Sequence, residues 1–372
     1  MAADEDLDAL AAGIAEVLAA ECSSERLHAF IDGRVDLDRT LWRQAAELGW
    51  LGIGLPGECG GLDLGDAGLA VLHRELGRRV APGPFICTLA AVQALAALED
   101  FPLRRALFER VIAGQASIAI PATVMDSGAP ALRIEAGRLQ GRLEPLLGAV
   151  DAAFALVPAR AGADETWVLL EIDGIAARIA ARAAWDPTRT LVALDCDGAV
   201  PAQVVAAGDA ATLRRDLARQ QAIAVVFDCI GAAGAVFDLT IEYMKTRVQF
   251  DRPIASFQAL KHRVANLRVR LESSGQIATQ ALDAMVANGA DADLWAALAK
   301  AEAGDHYSFI AGECVQLHGG VGFTWALDCH LYQKRAKLNQ ALVATSARCR
   351  DLGAHGLIEA MRAGRSTSEL PL

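Results

Sequence analysis

The chain has 372 residues, of which 53% are apolar and 22% are charged, so its length and composition predict a globular protein of two or three packed units. They exclude a disordered chain, which would be too polar to bury a core. The formal net charge of −11 argues against a general nucleic-acid binder, because neutralising phosphates requires a concentrated basic face.

The cysteines and the N-terminus indicate the compartment. Eight cysteines are scattered without a C-x-x-C pair or a metal-like spacing to histidine, so we expect reduced, mostly buried thiols and no metal site. The first residues, MAADEDLDAL, are acidic where a targeting sequence is basic, and we expect no apolar run long enough to span a membrane. These features predict a soluble, cytoplasmic protein.

Hydrophobic periodicity divides the chain into three regions. Residues 1–113 carry apolar side chains at spacings of three and four, as in DLDALAAGIAEVLAAEC, which predicts an N-terminal helical domain. Residues 114–210 are short apolar runs separated by Gly, Asp and Pro, which favours a middle β-domain built as a small antiparallel barrel or sandwich. The helical period returns over 211–372 and predicts a C-terminal four-helix bundle, with four or five long helices. The fold class is therefore α+β.

A glycine-rich stretch, LGIGLPGECGGLDLG, interrupts the first region. Gly60 and Gly61 follow a Pro-Gly turn and precede a helix that starts near Asp66. A phosphate cradle would also need a Lys-Ser/Thr pair or a GxGxxG pattern, and neither is present. The stretch therefore gives little support to a phosphate site.

Two polar groupings in the last region point to a ligand site. In KTRVQFDRPIASFQALKH, residues 245–262, Pro253 enforces a turn that places Arg247 and Gln258 near the junction of two helices. A guanidinium group suits a diphosphate, and Phe250 offers a face for an aromatic ring. Taken alone, this stretch is equally compatible with a solvated helix-turn-helix.

The second grouping is QLHGGVGFTW, residues 316–325, at the end of a helix. Three glycines there, Gly319, Gly320 and Gly322, allow a close backbone approach, whereas a helix cap would need only one. Main-chain N–H groups and the Gln316 amide can then face a ligand.

The two groupings resemble the acyl-CoA dehydrogenase family. The pattern R-x-x-F-x-x-x-I-x-x-F-Q, followed by Q-x-x-G-G-x-G-F, is similar to its cofactor motifs. WRQAAELGWLGIGLPGECGGL resembles the family's N-terminal segment, and WDPTRTLVALDCDGA resembles the end of its β-domain. HGGVGFTWALDCHLYQKRA resembles a bacterial branch that includes subunits acting on sterol side-chain CoA thioesters.

The resemblance implies an activity and a cofactor. In that family FAD abstracts a hydride from the β-carbon of an acyl-CoA while a glutamate removes the α-proton, which gives a trans-2-enoyl-CoA. An electron-transfer flavoprotein is the expected electron acceptor. The FAD straddles a subunit interface. Carried over by position, the residues that bind the ADP half of FAD are Arg247, Phe250, Gln258, Gln316, Gly319, Gly320 and Thr345.

The catalytic base departs from the family pattern. Val343 occupies the commonest position of the glutamate, and Gln221 occupies the alternative position on an earlier helix. Asp228, two turns along the same helix, is the remaining internal candidate. Its apolar surroundings, AVVFDCIGAAG, lead us to expect that burial raises its pKa, as suits a base near neutrality. A buried aspartate that bonds a neighbouring helix is the alternative interpretation.

Most of the residues that line the flavin ring in the family are also absent from this chain. The family's polar set and tryptophan are missing from IPATVMDSGAP and AFALVPA, where only Thr123 and Ser127 offer substitutes.

One hypothesis explains both the missing glutamate base and the missing flavin-ring residues. Some bacterial members are α2β2 heterotetramers, in which one subunit supplies the base and the flavin-ring pocket and the other completes the ADP site. We expect this chain to be the second kind of subunit, paired with a homologous partner that carries the glutamate. The alternatives are a self-sufficient homotetrameric dehydrogenase that uses Asp228, and a non-catalytic acyl-CoA-binding or scaffold protein.

Overall fold

A computed structural model of the protein describes residues 2–125, 130–148, 150–172, 178–205 and 209–364, with side chains from residue 5 onward. Six α-helices occupy the first part of the chain: α1 (Ala2–Glu21), α2 (Ser24–Ile31), α3 (Leu37–Glu47), α4 (Gly65–Arg78), α5 (Phe85–Ala96) and α6 (Arg104–Ile112). Helix α3 shows why they pack together. Its buried residues Leu37, Leu41 and Ala45 recur every four positions and form a single apolar stripe.

The middle of the chain forms a mixed sheet with nine strands in its described part. They are β1 (Ile118–Pro121), β2 (Leu132–Glu135), β3 (Arg138–Gln140), β4 (Arg142–Leu147), β5 (Phe154–Ala161), β6 (Asp164–Glu171), β7 (Ile179–Arg182), β8 (Leu191–Asp195) and β9 (Gln203–Val204). The order is β3-β2-β5-β1-β4-β8-β7, with β6 between β5 and β9. Strand β5 runs parallel to both β1 and β2, so the expected purely antiparallel pairing is wrong.

Strand β5 explains why the middle region reads as continuous apolar runs. Phe154 and Leu156 join the core shared with the helices, whereas Ala155 and Val157 join a second core within the sheet. Successive side chains of a strand point to opposite faces, so a strand buried on both faces has no polar alternation.

Five helices in the described residues build the C-terminal part, within the expected four or five: α7 (Ala210–Thr246), α8 (Gln258–Val286), α9 (Ala292–His318), α10 (Cys329–Ala341) and α11 (Ser346–Arg362). A two-stranded hairpin, β10 (Val248–Gln249) and β11 (Arg252–Pro253), joins α7 to α8. Helix α7 is central, because it packs against α4, α5, α8, α9 and α10.

The expectation that no apolar segment reaches membrane-spanning length is wrong for α7. The most apolar part of this helix has a mean hydropathy of 1.9, and by length and composition it would be able to cross a bilayer. Its neighbours bury 67% of that part within the protein, however, as they would in any central core helix. Burial on most sides is the physical reason for its composition.

Glycines let α4 and α7 cross closely. A Cβ atom built on Gly231 would lie 1.9 Å from the Arg74 carbonyl oxygen, and one built on Gly77 would lie 2.2 Å from the Asp228 carbonyl oxygen. Gly61 is similar, because its Cβ would lie 2.0 Å from the Leu55 carbonyl oxygen. Close packing therefore explains the glycine at position 61 of the stretch 51–65 without a bound phosphate.

The α+β class and the order helices, sheet, helices are confirmed. Helix gives way to strand between Ile112 and Ile118, and strand to helix between Val204 and Ala210. The division into domains at 113 and 210 stays a prediction. All eight cysteines are free thiols, and seven of them are buried.

Candidate functional site

Contacts between the ends of α7 and α9 bring the two polar groupings together. Tyr243, one turn before Arg247, stacks on His318 with 4.3 Å between ring centroids. The Tyr243 hydroxyl donates a 3.3 Å hydrogen bond to the His318 carbonyl. Since His318 directly precedes Gly319, the hairpin after α7 lies beside the glycine turn after α9.

Arg247 and Phe250 are presented to solvent by the hairpin. Arg247 directly follows α7 as its C-cap, and its carbonyl accepts a 2.8 Å hydrogen bond from the Ile254 N–H. Its side chain is exposed and forms no ion pair with the part of the chain that the structure describes. Phe250 is 86% exposed and has φ of +52°, with Asp251 at +63°. A non-glycine residue in this region costs on the order of 1 kcal/mol, so the hairpin holds an apolar ring outward at an energetic cost.

Each glycine of the turn after α9 has a different role. Gly319 ends the helix at φ +67°, a conformation that favours glycine. A Cβ atom on Gly322 would lie 2.7 Å from the Val315 carbonyl oxygen, so this glycine is required by packing. Gly320 has neither constraint, and its Cβ would enter open space. Its backbone is therefore open to a ligand.

The two expected glutamine residues are exposed. Gln258 is the first residue of α8, directly after the hairpin, and Gln316 lies in the last turn of α9. Thr345 is placed differently. It caps α11, where its hydroxyl accepts a 3.3 Å hydrogen bond from the Arg348 N–H. The described contacts do not connect Thr345 with the hairpin or with the glycine turn.

Val343 and Gln221, at the two positions expected for a base, are both buried. The Val343 N–H donates a 2.7 Å hydrogen bond to the Ala122 carbonyl, and the Val343 carbonyl accepts a 3.0 Å bond from the Met125 N–H. The Gln221 amide donates a 3.3 Å bond to the Pro121 carbonyl. Neither side chain is a base. Thr123 is half-buried in the same segment, and Ser127 lies outside the described residues.

Asp228 is the centre of a buried network of charges. Its Oδ1 accepts hydrogen bonds of 2.6 Å from Arg189 and 3.1 Å from Arg335. Its Oδ2 accepts a 2.6 Å bond from the Asn339 amide. Arg335 also donates a 2.6 Å bond to Asp186. Two arginines and two aspartates thus neutralise one another away from solvent.

The network shifts the pKa of Asp228 in the direction opposite to the one expected. Burial alone would raise the pKa, but Arg189, Arg335 and the Asn339 amide outweigh burial, and the pKa is lowered. The expectation of a raised pKa is therefore wrong. A carboxylate that is ionised and bound at both oxygens is a poor proton acceptor. Asp228 also lines neither of the two large cavities of the described residues.

The partners of Asp228 were not identified from the sequence. Arg335 and Asn339 lie four residues apart on α10, inside a helix face that is otherwise buried and apolar. Polar side chains on the apolar face of a helix are the signal that could have identified them, since buried charges are almost always paired.

A large cleft of about 1150 Å³ opens between the sheet, the first turns of α7 and α9, and α11. Val124 and Met125, next to the segment that pairs with Val343, form part of its wall. The charged residues that line it are Asp164, Glu165, Asp291, Asp293, Glu359, Arg214 and Arg215. Among these described residues, Glu165 is paired with Arg214, and Asp293 is paired with Arg219 on α7.

Comparisons with known proteins agree with this fold. Residues 4–102 match the family model described as "Acyl-CoA dehydrogenase, N-terminal domain", and residues 213–358 match "Acyl-CoA dehydrogenase, C-terminal domain". The chain is 33% identical over 341 residues to "Acyl-CoA dehydrogenase IpdE2" of Mycobacterium tuberculosis, which covers 90% of this chain and 92% of the relative.

Two solved structures extend the likeness over nearly the whole chain. One is titled "Tcur3481-Tcur3483 steroid ACAD G363A variant" and has a TM-score of 0.86 at 24% identity, covering 97% of this chain and 99% of the other. The second is the ChsE4–ChsE5 complex from Mycobacterium tuberculosis, with a TM-score of 0.79 at 25% identity and 98% of each chain covered.

Proposed function

The chain belongs to the acyl-CoA dehydrogenase family, and from that premise we propose that it is the subunit that completes the FAD site of a homologous partner in an α2β2 heterotetramer. Members of this family use FAD and oxidise the CH–CH bond of an acyl-CoA. The partner supplies the glutamate base and the pocket for the flavin ring.

The observation that carries the proposal is the state of the three positions where a base was expected. Val343 is apolar and Gln221 is a neutral amide, and both are fully buried. Asp228 is held ionised by Arg189 and Arg335. None of these three positions offers a free carboxylate, which favours a partner subunit as the source of the base that removes the α-proton.

The exposed residues beside the glycine turn fit the ADP half of FAD. Arg247 has a guanidinium group without an ion-pair partner in the described chain, which suits a diphosphate through its planar donors. Gly320 leaves room for a close backbone approach, and the Gln258 and Gln316 amides are free to donate. When bound, FAD supplies the hydride acceptor. This chain binds the cofactor and orients it across the interface. Thr345 is proposed as one of the residues that bind the ADP half of FAD.

Three further assignments belong to the proposal. The solved relatives are titled as a steroid dehydrogenase and a two-protein complex, which favours a steroid-derived acyl-CoA and a heteromeric partner. An electron-transfer flavoprotein is the electron acceptor by analogy with the family. The eight free thiols fit the reducing cytoplasm.

Co-expression with the homologous partner tests the proposal. We expect the chain alone to hold little FAD and to show no dye reduction with acyl-CoA, whereas the complex shows both. Full flavin content and activity in the chain alone would favour the self-sufficient homotetramer, and a complex without flavin would favour the scaffold.

Arg247→Ala tests the binding residues within that complex. We expect it to lower the flavin content while the complex still assembles, because the diphosphate loses a bidentate partner. Arg105→Ala is the control, since it removes an equally charged side chain that is 89% exposed on α6. Equal flavin content in the two variants would count against the assigned site.

A further inference from the structure

The loop between α9 and α10, residues 319–328, begins with the glycine turn and then runs along the surface. In its second half Phe323 is 77% exposed and Trp325 is 54% exposed. The backbone hydrogen bonds within the loop are short-range, such as the 3.1 Å bond from the Thr324 N–H to the Val321 carbonyl. Such bonds shape a turn, but an exposed segment with few buried contacts still opens easily. The position of the loop therefore depends on what holds its two ends.

Two side chains of α2 hold the far end of the loop. The Ser24 hydroxyl donates a 2.9 Å hydrogen bond to Asp328 Oδ1, and His28 Nε2 lies 2.8 Å from the same oxygen. An ionised carboxylate only accepts, so the imidazole donates through its Nε2–H. Ser24 and His28 are one helical turn apart and share a face of α2. The contact joins residues 300 positions apart in the sequence and connects the loop to the N-terminal helices.

The Asp328 carboxylate binds α2 and does not cap its own helix. Asp328 is the N-cap residue of α10, where an aspartate normally accepts a hydrogen bond from a backbone N–H of the first turn. Within the described chain its side chain forms no such bond. The side chains of His28 and Asp328 are 22% and 21% exposed, so solvent screens their contact less than that of a fully exposed pair. The contact with α2 is therefore what the carboxylate contributes.

Trp325 is a second point of attachment between α2 and the loop. Its indole ring meets the His28 ring edge-on, with 5.4 Å between centroids and an interplanar angle of 86°. Helix α10 contributes His330, at 4.5 Å between ring centroids, and the Lys334 ammonium, at 5.1 Å from the indole centroid. Edge-on aromatic pairs are favourable beyond the area that they bury. His28 therefore contacts the loop twice, through Trp325 and through Asp328.

We infer that Ser24 and His28 are positioning residues: through Asp328, α2 holds the loop 319–328 in the conformation that receives the cofactor. The aromatic stack beside the glycine turn fixes one end of the loop and α2 fixes the other, so the open backbone of Gly320 lies between two fixed points. The anchoring by α2 is independent of the proposed function, whereas its effect on FAD rests on that function.

Hydrogen exchange of the full-length chain, followed by mass spectrometry, measures the anchor without any cofactor. His28→Phe keeps an aromatic ring for Trp325 but removes the N–H donor. We expect the backbone amides of residues 319–328 to exchange about tenfold faster in this variant, because a hydrogen bond to a charged group is lost. Arg26→Gln is the matched control on the same helix, because Arg26 pairs with Glu21. We expect the control to exchange like the wild type.

Further variants separate positioning from general destabilisation. Ser24→Ala should speed exchange in the loop, and Ser24→Thr, which keeps a hydroxyl, should restore the wild-type rate. Asp328→Ala removes the acceptor, so adding His28→Phe to it should change the loop little further, because both residues act through one contact. Effects that simply add in the double variant would contradict the anchor.

The partner complex tests the effect on the cofactor. We expect His28→Phe to raise the dissociation constant for FAD by about tenfold, while turnover at saturating FAD stays at the wild-type value. The inference is overturned if the loop exchanges equally in His28→Phe and Arg26→Gln. It is also overturned if the loop loosens without a change in the affinity for FAD, or if excess FAD does not restore turnover.

Failure of the proposed function gives a different result. A wild-type complex without flavin would refute that function and the effect on FAD together. Hydrogen exchange of the loop would still decide whether α2 anchors it, because that measurement needs neither the partner nor the cofactor.

Discussion

At the scale of single residues, Asp228 has a structural role, because it connects distant segments of the chain. Its carboxylate joins Arg189, which precedes the strand β8, to Arg335 and Asn339 on α10. A buried ion pair is weak evidence for net stabilisation, but removing one member leaves an uncompensated charge. The position is therefore sensitive to substitution whether or not it takes part in catalysis.

Asp228→Asn should lower the free energy of unfolding by about 3–5 kcal/mol, because two buried guanidinium groups lose their shared anion. Denaturant unfolding measures this change. Asp238→Asn on the same helix is the control, since that side chain is 61% exposed, and we expect a change below about 1 kcal/mol. A catalytic base would behave in the opposite way, with turnover lost and the free energy of unfolding unchanged.

The sequence indicates that Asp228 is buried, but not what it binds. Its apolar neighbours on α7 predict burial from local pattern alone. Its partners lie 39, 107 and 111 residues away in sequence. Because these contacts depend on how three distant segments pack, the ion pairs and the lowered pKa could not be predicted from the residues around Asp228.

At the scale of elements, the crossing of α4 and α7 sets the distance between the N-terminal helices and the central helix. The main chains approach so closely that Gly77 and Gly231 have no room for a side chain. The same crossing carries Asp228, whose carbonyl faces Gly77, so helix spacing also fixes the charged network.

Gly231→Ala should destabilise the protein by about 1–3 kcal/mol, because the two helices must move apart to admit the methyl group. Gly234→Ala, three residues later on the same helix, is the matched control. Its Cβ would meet only Arg78 Nη1, at 3.8 Å, and alanine should stabilise the helix by up to about 1 kcal/mol. Thermal unfolding of both variants measures the difference, and similar melting temperatures would contradict the close crossing.

The elements themselves were largely predictable. The period of the apolar residues predicts the long helices of the C-terminal part, and continuous apolar runs predict strands. The parallel pairing of β5 with β1 and β2 was not predictable, because strand order depends on contacts between distant segments. The exposed hairpin after α7 was predicted as a turn from Pro253, but its outward Phe250 at positive φ was not.

At the scale of the whole molecule, the buried network joins the three parts of the chain. Arg335 on α10 donates 3.1 Å hydrogen bonds to the carbonyls of Val80 and Ala81, which follow α4. It also binds Asp186, which lies between β7 and β8. One guanidinium group thus contacts the N-terminal helices, the sheet region and the C-terminal bundle, which favours unfolding of the three parts as one unit.

His73 makes the stability of this unit depend on pH. It is buried on α4, and burial lowers its pKa to about 4, with Asp228 acting in the opposite direction. In the unfolded chain the pKa of a histidine is about 6.5. The unfolded state therefore binds more protons between these two values, and the free energy of unfolding falls as the pH falls through that window.

We expect the His73 contribution to be full above pH about 6.5 and to fall by about 3 kcal/mol by pH 4, at about 1.4 kcal/mol for each pH unit. His73→Gln removes the titrating group but keeps a polar side chain. Denaturant unfolding of both proteins across this range isolates the histidine, because the other groups titrate in both. The stability advantage of the wild type over the variant should shrink as the solution is acidified. An advantage that stays constant would mean that His73 is as easily protonated in the folded protein as in the unfolded chain, and that the α4–α7 contact admits water.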